Sequence, residues 1–159
     1  MIGEKTDAVE TFWREACAAT GIDPETAYHA GTFADPALSP NVDKIGDLAR
    51  IGQKRGTAHM ALDFEKSGVA RRAPGEPWVV LTAANEPLCL VRMTEVETVP
   101  FRDVTPEFAA SEGEGDLSWD YWATVHQRYF EKQLAAWGES WRDDLPVVCE
   151  SFELLWPKP

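Results

Sequence analysis

The chain has few basic residues, and it lacks any long apolar run. Its 159 residues include 27 Asp and Glu against 15 Lys and Arg, so the formal net charge is -12 at pH 7. This balance argues against non-specific binding to long nucleic acid duplexes, which depends on neutralising many phosphates. It still allows a local basic cleft that accepts a short ligand, because the binding of a short ligand depends on the local electrostatic field and not on the net charge.

Cysteine and histidine are also scarce. The three cysteines (Cys17, Cys89 and Cys149) lie far apart and are odd in number, which is typical of buried thiols in a reducing compartment. No pair of cysteines and histidines has the spacing of a zinc site. No apolar stretch approaches the roughly 20 residues of a membrane span, and the opening MIGEKTDAVE contains no signal segment. We therefore expect a cytoplasmic protein with no membrane contact, no metal and no cofactor.

Apolar residues at helical spacing predict helices in both halves of the chain. In the first helix, Asp7 and Glu10 resemble a capping box, and Gly21 can end the helix. A second helix is expected at about residues 41–51, with Gly52 where a left-handed cap is expected. The later helices are a short one that starts at Thr105–Pro106 and a long one at about 119–137 that Ser118 caps.

Short apolar or alternating runs predict strands between these helices. The expected strands are TAHMALDFE (57–65), WVVL (78–81), PLCLVRMTEVETV (87–99) and VVCESFELL (147–155). Residues 21–40 are rich in Pro, Gly and Asp and predict a loop. Because strands and helices do not alternate as βαβ units, the pattern favours an α+β or small-barrel fold over a doubly wound sheet.

One basic island interrupts the acidic chain. Residues 43–72 contain seven Lys and Arg against four Asp and Glu, and GQKRGTAH (52–59) lies within them. Lys54 precedes Thr57 by three residues, and a threonine hydroxyl becomes a nucleophile when a base takes its proton. A lysine can be that base if burial lowers its pKa. A surface lysine beside a turn threonine that bonds its own backbone fits the same spacing.

A glycine-punctuated acidic loop follows at residues 112–116. Glu112, Glu114 and Asp116 alternate with glycines and can converge on one point. They could hold Mg²⁺, orient a lysine, or act as acid or base. A solvated acidic loop is the alternative, and Asp116 can also help Ser118 to cap the long helix.

Aromatic residues are plentiful, and many lie near His126. The apolar stripe of the long helix contains Trp119, Trp122, His126, Tyr129, Phe130 and Gln133. His126 is either a packed, hydrogen-bonded side chain or a proton shuttle at the wall of a pocket. The rings, together with Trp78, either fill the core or stack on bases of a single strand.

These stretches together resemble the ASCH domain family over residues 32–155. The resemblance depends on GQKRGTAH, on EPLCLVRMTEVETVPFRDV, on EFAASEGEGDLSWDYWATVHQRYF and on LPVVCESFELL, and the EGEGD loop is similar to that of the longer bacterial members. It implies an α+β fold with a PUA-like small β-barrel flanked by helices. The domain would span residues 32–159, behind an N-terminal helical extension at 1–31.

The resemblance also implies a cleft for RNA or a nucleoside. Some longer bacterial members of the family are ribonucleases, and some much smaller members are amidohydrolases that deacetylate N4-acetylcytidine. The catalytic lysine, threonine and glutamate of those smaller members match Lys54, Thr57 and Glu112. His59 stands where a small hydroxyl residue is common, so the substrate does not carry over.

Three functions fit these observations. The first is a ribonuclease acting on single-stranded RNA, with Lys54 as base or charge stabiliser and Ser118 and His126 as helpers. The second is an amidohydrolase of N4-acetylcytidine-type nucleosides, and the third is a non-catalytic RNA-binding module. The expected ligand is single-stranded RNA, a nucleoside or a nucleotide, and the protein is expected as a monomer or homodimer. The residues expected to bind the ligand are His59, Arg55, Glu114, Asp116, Ser118, Trp122 and His126.

Overall fold

One curled five-stranded sheet, a half-barrel, organises residues 3–159, which this computed structural model describes. Its strands are β1 (His29–Gly31), β2 (Gly56–Met60), β3 (Pro77–Leu81), β4 (Pro87–Pro100) and β5 (Pro146–Trp156). They lie in the order β1-β3-β4-β5-β2. β1 is parallel to β3, and the other neighbouring pairs are antiparallel. The expected α+β, PUA-like fold is confirmed.

The curl of the sheet comes from its two longest strands. β4 and β5 pair along most of their length, but their register shifts at Leu90/Val91 and again at Met93/Glu95. Such bulges bend a strand and increase its twist. β4 pairs with β3 through residues 87–92, and Val99 near its other end packs against the cluster that contains Trp122 of α5.

Helices flank both sides of this sheet. They are α1 (Asp7–Thr20), α2 (Val42–Arg50), α3 (Ala61–Ser67), α4 (Pro106–Ser111) and α5 (Trp119–Trp137). The predicted caps at Thr105 and Ser118 are confirmed, since each side chain accepts a hydrogen bond from the backbone three residues on. The predicted capping box at α1 is wrong by one residue. Thr6 takes that position and accepts from the backbone N–H of Val9 at 3.4 Å.

The pairing of the strands corrects two other expectations, one about a strand and one about a loop. The strand expected at 57–65 stops at Met60, and α3 follows directly. Met60 pairs with Val147, and the next position on β5 is Pro146, which has no backbone N–H to continue the ladder. The loop expected at 21–40 contains β1, which is too short to carry a periodic signal.

The division between an N-terminal extension (1–31) and a following domain (32–159) stays a prediction. α1 buries Val9 and Trp13 in one cluster with Val79 of β3. Val9 is 0% exposed, and burying a side chain of this kind stabilises a fold by about 2 kcal/mol. β1 also pairs with β3 across the proposed division, so residues of both parts share a core.

None of the helices in residues 3–159 combines the length and the apolar character that a membrane crossing requires.

Candidate functional site

The turn between α2 and β2 directs Lys54 into the protein. Gly52 has φ +82°, the left-handed backbone that glycine adopts without strain. The next turn is held because the backbone N–H of Lys54 donates to the carbonyl of Leu48 at 3.0 Å. The N–H of Arg55 donates to the carbonyl of Ser111 at 2.7 Å, which ties this turn to α4. The lysine side chain is therefore buried, with 2% of its surface exposed.

Two carboxylates meet the Lys54 ammonium. Its Nζ lies 2.9 Å from Glu112 Oε2 and 3.0 Å from Glu114 Oε1. Burial alone would lower the pKa of Lys54, but the charges of Glu112 and Glu114 outweigh burial and hold that pKa above its ordinary value. Lys54 is therefore a charged hydrogen-bond donor in this structure and not a free base.

Glu112 also joins the acidic loop to α5. Its Oε1 accepts a hydrogen bond from Trp122 Nε1 at 2.9 Å and lies 3.3 Å from His126 Nε2. The other nitrogen, His126 Nδ1, lies 2.8 Å from the carbonyl of Trp122. Since both imidazole nitrogens face acceptors, both carry protons when these contacts form.

The charges of this network balance each other. Burial opposes the charged form of His126, yet Glu112 outweighs burial and raises the pKa of His126 above its ordinary value. Burial likewise opposes the carboxylate of Glu112, but Lys54 and His126 hold its pKa below the ordinary range. Two cations and the carboxylates of Glu112 and Glu114 thus form a buried cluster without net charge, which we call the Lys54 cluster.

Gly113 lets the acidic loop lie directly on this turn. It has φ +72°, and a Cβ at this position would lie 2.7 Å from the carbonyl oxygen of Gln53. Gln53 Nε2 donates to the carbonyl of Gly113 at 2.6 Å, which fixes the loop from the other side. Asp116 points outward and accepts from the backbone N–H of Ser118 at 2.9 Å, so only two of the three loop acids converge.

Thr57 is buried near this cluster but is not bonded to it. It lies opposite Glu150 in the ladder of β2 and β5. Within residues 3–159 its hydroxyl makes no hydrogen bond, to Lys54 or to any other side chain. The structure therefore brings together Lys54 and Glu112 of the matched catalytic set, and it leaves the Thr57 hydroxyl without a partner among these residues.

A second buried ion pair lies further along the sheet. Glu150 is 0% exposed, and Arg72 binds it with two hydrogen bonds, Nε to Oε2 at 2.7 Å and Nη2 to Oε1 at 2.8 Å. His59 Nε2 lies 3.1 Å from Glu150 Oε1. Burial opposes this carboxylate, but His59 and Arg72 lower the pKa of Glu150 to about 2. Arg72 also lies over the ring of Trp78, 3.9 Å from its centroid.

Sequence reasoning missed both Arg72 and Glu150. Arg72 was counted only as one of the seven basic residues of the island at 43–72. Glu150 interrupts the apolar strand VVCESF, and a lone acid in a buried strand usually requires a paired cation. That interruption is the signal that could have found this pair.

A cavity of about 460 Å³ lies beside these groups. The rings of Phe33, Phe64 and Tyr129 line it, together with the polar side chains of His59 and Arg72. The Phe33 ring centroid also lies 5.2 Å from Lys54 Nζ. The cavity and the Lys54 cluster are thus neighbours, with the ring of Phe33 in contact with both.

Gln133 forms part of the cavity wall on α5. It follows His126 and Tyr129 at helical spacing, so these three side chains share one face of the helix. Gln133 is 5% exposed, and its buried Oε1 has no hydrogen-bond partner among residues 3–159. An unpaired buried polar group costs about 1–3 kcal/mol.

The expected ligand-binding residues fall into three places. His59 lines the cavity, while Glu114, Trp122 and His126 belong to the Lys54 cluster or contact it. The remaining three lie outside both, because Arg55 and Asp116 are exposed and Ser118 caps α5. Within the described part of the chain, no group of three or more His, Cys, Asp or Glu side chains is arranged to hold a metal ion.

Comparisons with known proteins agree with this architecture. The family model for the ASCH domain matches residues 30–156. A crystal structure of an ASCH domain from Lactobacillus crispatus has a TM-score of 0.79 and 27% identity, over 92% of this chain and 93% of that one. The crystal structure of a protein from Enterococcus faecalis has a TM-score of 0.78 and 28% identity, over 92% of this chain and 87% of that one. Curated protein sequences give no match.

The two solved structures each cover 92% of this chain, and the family model covers the shorter range 30–156. The matched residues include the Lys54 turn, the acidic loop, α5 and β5. They exclude α1, which lies before residue 30. Because the match extends over most of its length, the chain belongs to the ASCH domain family, which is broadly linked to RNA binding.

Proposed function

We propose that this protein binds a nucleoside, or one unpaired base of a single-stranded RNA, in the cavity beside Lys54. The observation that carries the proposal is a cavity of about 460 Å³ with aromatic rings in its wall. Sites for small ligands typically have volumes of roughly 300–1,000 Å³ and a few polar groups among apolar walls. Bases that are free of a duplex stack on such rings in many RNA-binding proteins.

The charges around the cavity favour the base over the phosphate as the recognised group. Asp35 and Asp63 line it together with Lys66 and Arg72, so acidic and basic side chains are equal in number. The guanidinium of Arg72 is already bound to Glu150. A ligand with many phosphates would gain little here, which agrees with the net charge of -12.

Binding is tested by calorimetry with ribonucleosides and with short single-stranded RNA. Tyr129→Leu removes one ring from the cavity wall, and we expect binding to weaken about tenfold, since stacking on an aromatic ring is worth about 1–3 kcal/mol per base. Tyr121→Leu is the matched control, because Tyr121 lies on the same helix, is exposed, and does not line the cavity. Equal affinity of the two variants would contradict the proposed location.

Amide hydrolysis on an acylated nucleoside is a second candidate, and the 2.9 Å contact between Lys54 and Glu112 favours it. Thr57 Oγ1 would attack the acyl carbon, the C–N bond would break, and the amine would leave with a proton. Water would then hydrolyse the acyl ester on Thr57. Lys54 can accept the proton of Thr57 only after losing its own, and its pKa is raised.

The reaction is tested by the release of cytidine from N4-acetylcytidine across a pH series. We expect the rate to rise with pH into the alkaline range, because the neutral fraction of Lys54 grows as pH approaches its raised pKa. Thr57→Val keeps the shape of the side chain and should abolish release. A rate independent of pH, or activity in Thr57→Val, would exclude this mechanism.

Ribonuclease activity is examined in the same experiment with single-stranded RNA as substrate. The two helpers expected from the sequence have other partners in this structure: Ser118 caps α5, and His126 contacts Glu112. Cleavage that is lost in Lys54→Ala would favour the ribonuclease over the amidohydrolase. Binding without turnover of either substrate would favour the non-catalytic module.

A further inference from the structure

Gln133 is an unusual component of the cavity wall. Its side chain is buried, and its Oε1 makes no hydrogen bond within residues 3–159. The buried charged side chains around the site are paired, as in Lys54 with Glu112 and Arg72 with Glu150. In native proteins, a buried polar group without a protein partner usually forms its hydrogen bond with water or with a ligand.

The position of Gln133 indicates which kind of ligand would form a hydrogen bond with its side chain. Its neighbours in the wall are rings, among them Phe33 and Tyr129, and a planar ligand packed against them presents its edge to the side chains around it. The unpaired buried atom is Oε1, an acceptor, so the ligand must supply an N–H or O–H. The amide nitrogen of Gln133 can donate to an acceptor next to that group.

We propose that Gln133 determines the specificity of this cavity by accepting a hydrogen bond from an amino group on the edge of the bound ring. The ligand class is an uncharged amino-bearing base, as in cytidine or adenosine. Such bases carry a ring acceptor next to the amino group, which matches the two ends of a carboxamide. The inference depends on the proposed function, since it assumes that a base occupies the cavity.

The test compares ribosides that differ only in this amino group. Calorimetry measures the Kd of cytidine against pyrimidin-2-one riboside, and of adenosine against purine riboside. Neither analogue adds bulk, so a steric effect of the change is avoided. In the wild-type protein we expect the amino-bearing partner of at least one pair to bind about tenfold more tightly.

Variants at Gln133 assign that preference to its side chain. Gln133→Leu has a similar volume but no acceptor, and it should bind both members of the pair equally. Gln133→Glu keeps an acceptor and should keep the preference. Gln127→Leu is the control, because Gln127 lies on the same helix and donates to Glu131 outside the cavity wall. It should behave as the wild type.

The outcomes separate this inference from the proposed function. Equal affinity within both wild-type pairs would overturn the role of Gln133 and leave base binding intact. A preference that survives in Gln133→Leu would overturn it as well. If none of the four ribosides binds, both proposals are wrong. Thermal unfolding checks the variants, and if Gln133→Leu does not fold, the wild-type pairs and Gln133→Glu decide.

Discussion

The carboxylate of Glu112 contacts three side chains in or beside the Lys54 cluster. It accepts hydrogen bonds from Lys54 and Trp122 and lies 3.3 Å from the imidazole of His126. Removing one member of a buried charge pair leaves the other uncompensated, which costs more than the pair itself contributes. The stability of the protein therefore depends on Glu112 whether or not the cluster takes part in chemistry.

We expect Glu112→Gln to lower the free energy of unfolding by about 3–5 kcal/mol near neutral pH. The pKa of Glu112 is lowered, so its contribution is complete above the ordinary pKa of 4.5 and is lost as pH falls. The pKa of His126 is raised, so its contribution is complete below the ordinary pKa of 6.5 and is lost as pH rises through the raised pKa. The difference between wild type and variant should be largest between pH 4.5 and pH 6.5.

Urea unfolding at several pH values measures this difference. The control is Glu107→Gln, which removes an exposed carboxylate from the neighbouring α4 and should change stability by less than about 0.5 kcal/mol. A difference between wild type and Glu112→Gln that stays constant from acidic to alkaline pH would contradict the coupling of Glu112 to His126.

The ends of helices were predicted correctly where a local signal in the sequence sets them. The ends of strands were predicted poorly where pairing with another strand sets them. Gly21 and the caps at Thr105 and Ser118 were correct because each satisfies the backbone of its own helix. The end of β2 depends on its partner, since β5 begins with Pro146, and no local pattern contains that information. β1 exists because β3 lies beside it.

The same limit applies to the candidate site. The approach of Lys54 to Glu112, across 58 positions of sequence, was expected only through family resemblance. Gln133 appeared as one member of an apolar stripe, because periodicity does not distinguish a core position from a cavity wall. The partners Arg72 and Glu150 lie 78 positions apart and meet only when the strands assemble.

The acidic loop acts as one element because Gly113 lets it dock. We expect Gly113→Ala to destabilise the protein by at least about 2 kcal/mol, since a left-handed residue with a Cβ is strained and this Cβ meets the backbone of Gln53 at 2.7 Å. Gly138→Ala is the matched control. Its φ of +71° is similar, but a Cβ there meets nothing within 4 Å, so only the backbone strain remains.

Chemical denaturation of both variants measures their free energies of unfolding. The comparison separates the effect of the Cβ contact with Gln53 from the effect of the left-handed backbone. Gly113→Ala should lose clearly more stability than Gly138→Ala, and it should also weaken the binding of ribonucleosides, because the loop holds Glu112 and Glu114 on Lys54. Equal losses of stability would show that close docking of the loop contributes little.

For the whole molecule, the net charge of -12 limits how RNA is held. If recognition occurs through one base in the cavity, few phosphates are neutralised and few counterions are released. We expect log K for a short single-stranded RNA to fall with log salt at a slope of about -1 to -2, since each neutralised phosphate of a single strand contributes roughly -0.7. Binding of cytidine, which has no phosphate, should not change over the same series and is the control. A slope steeper than about -4 would mean that several phosphates are contacted along a basic surface, and the cavity would then not be the main determinant of affinity.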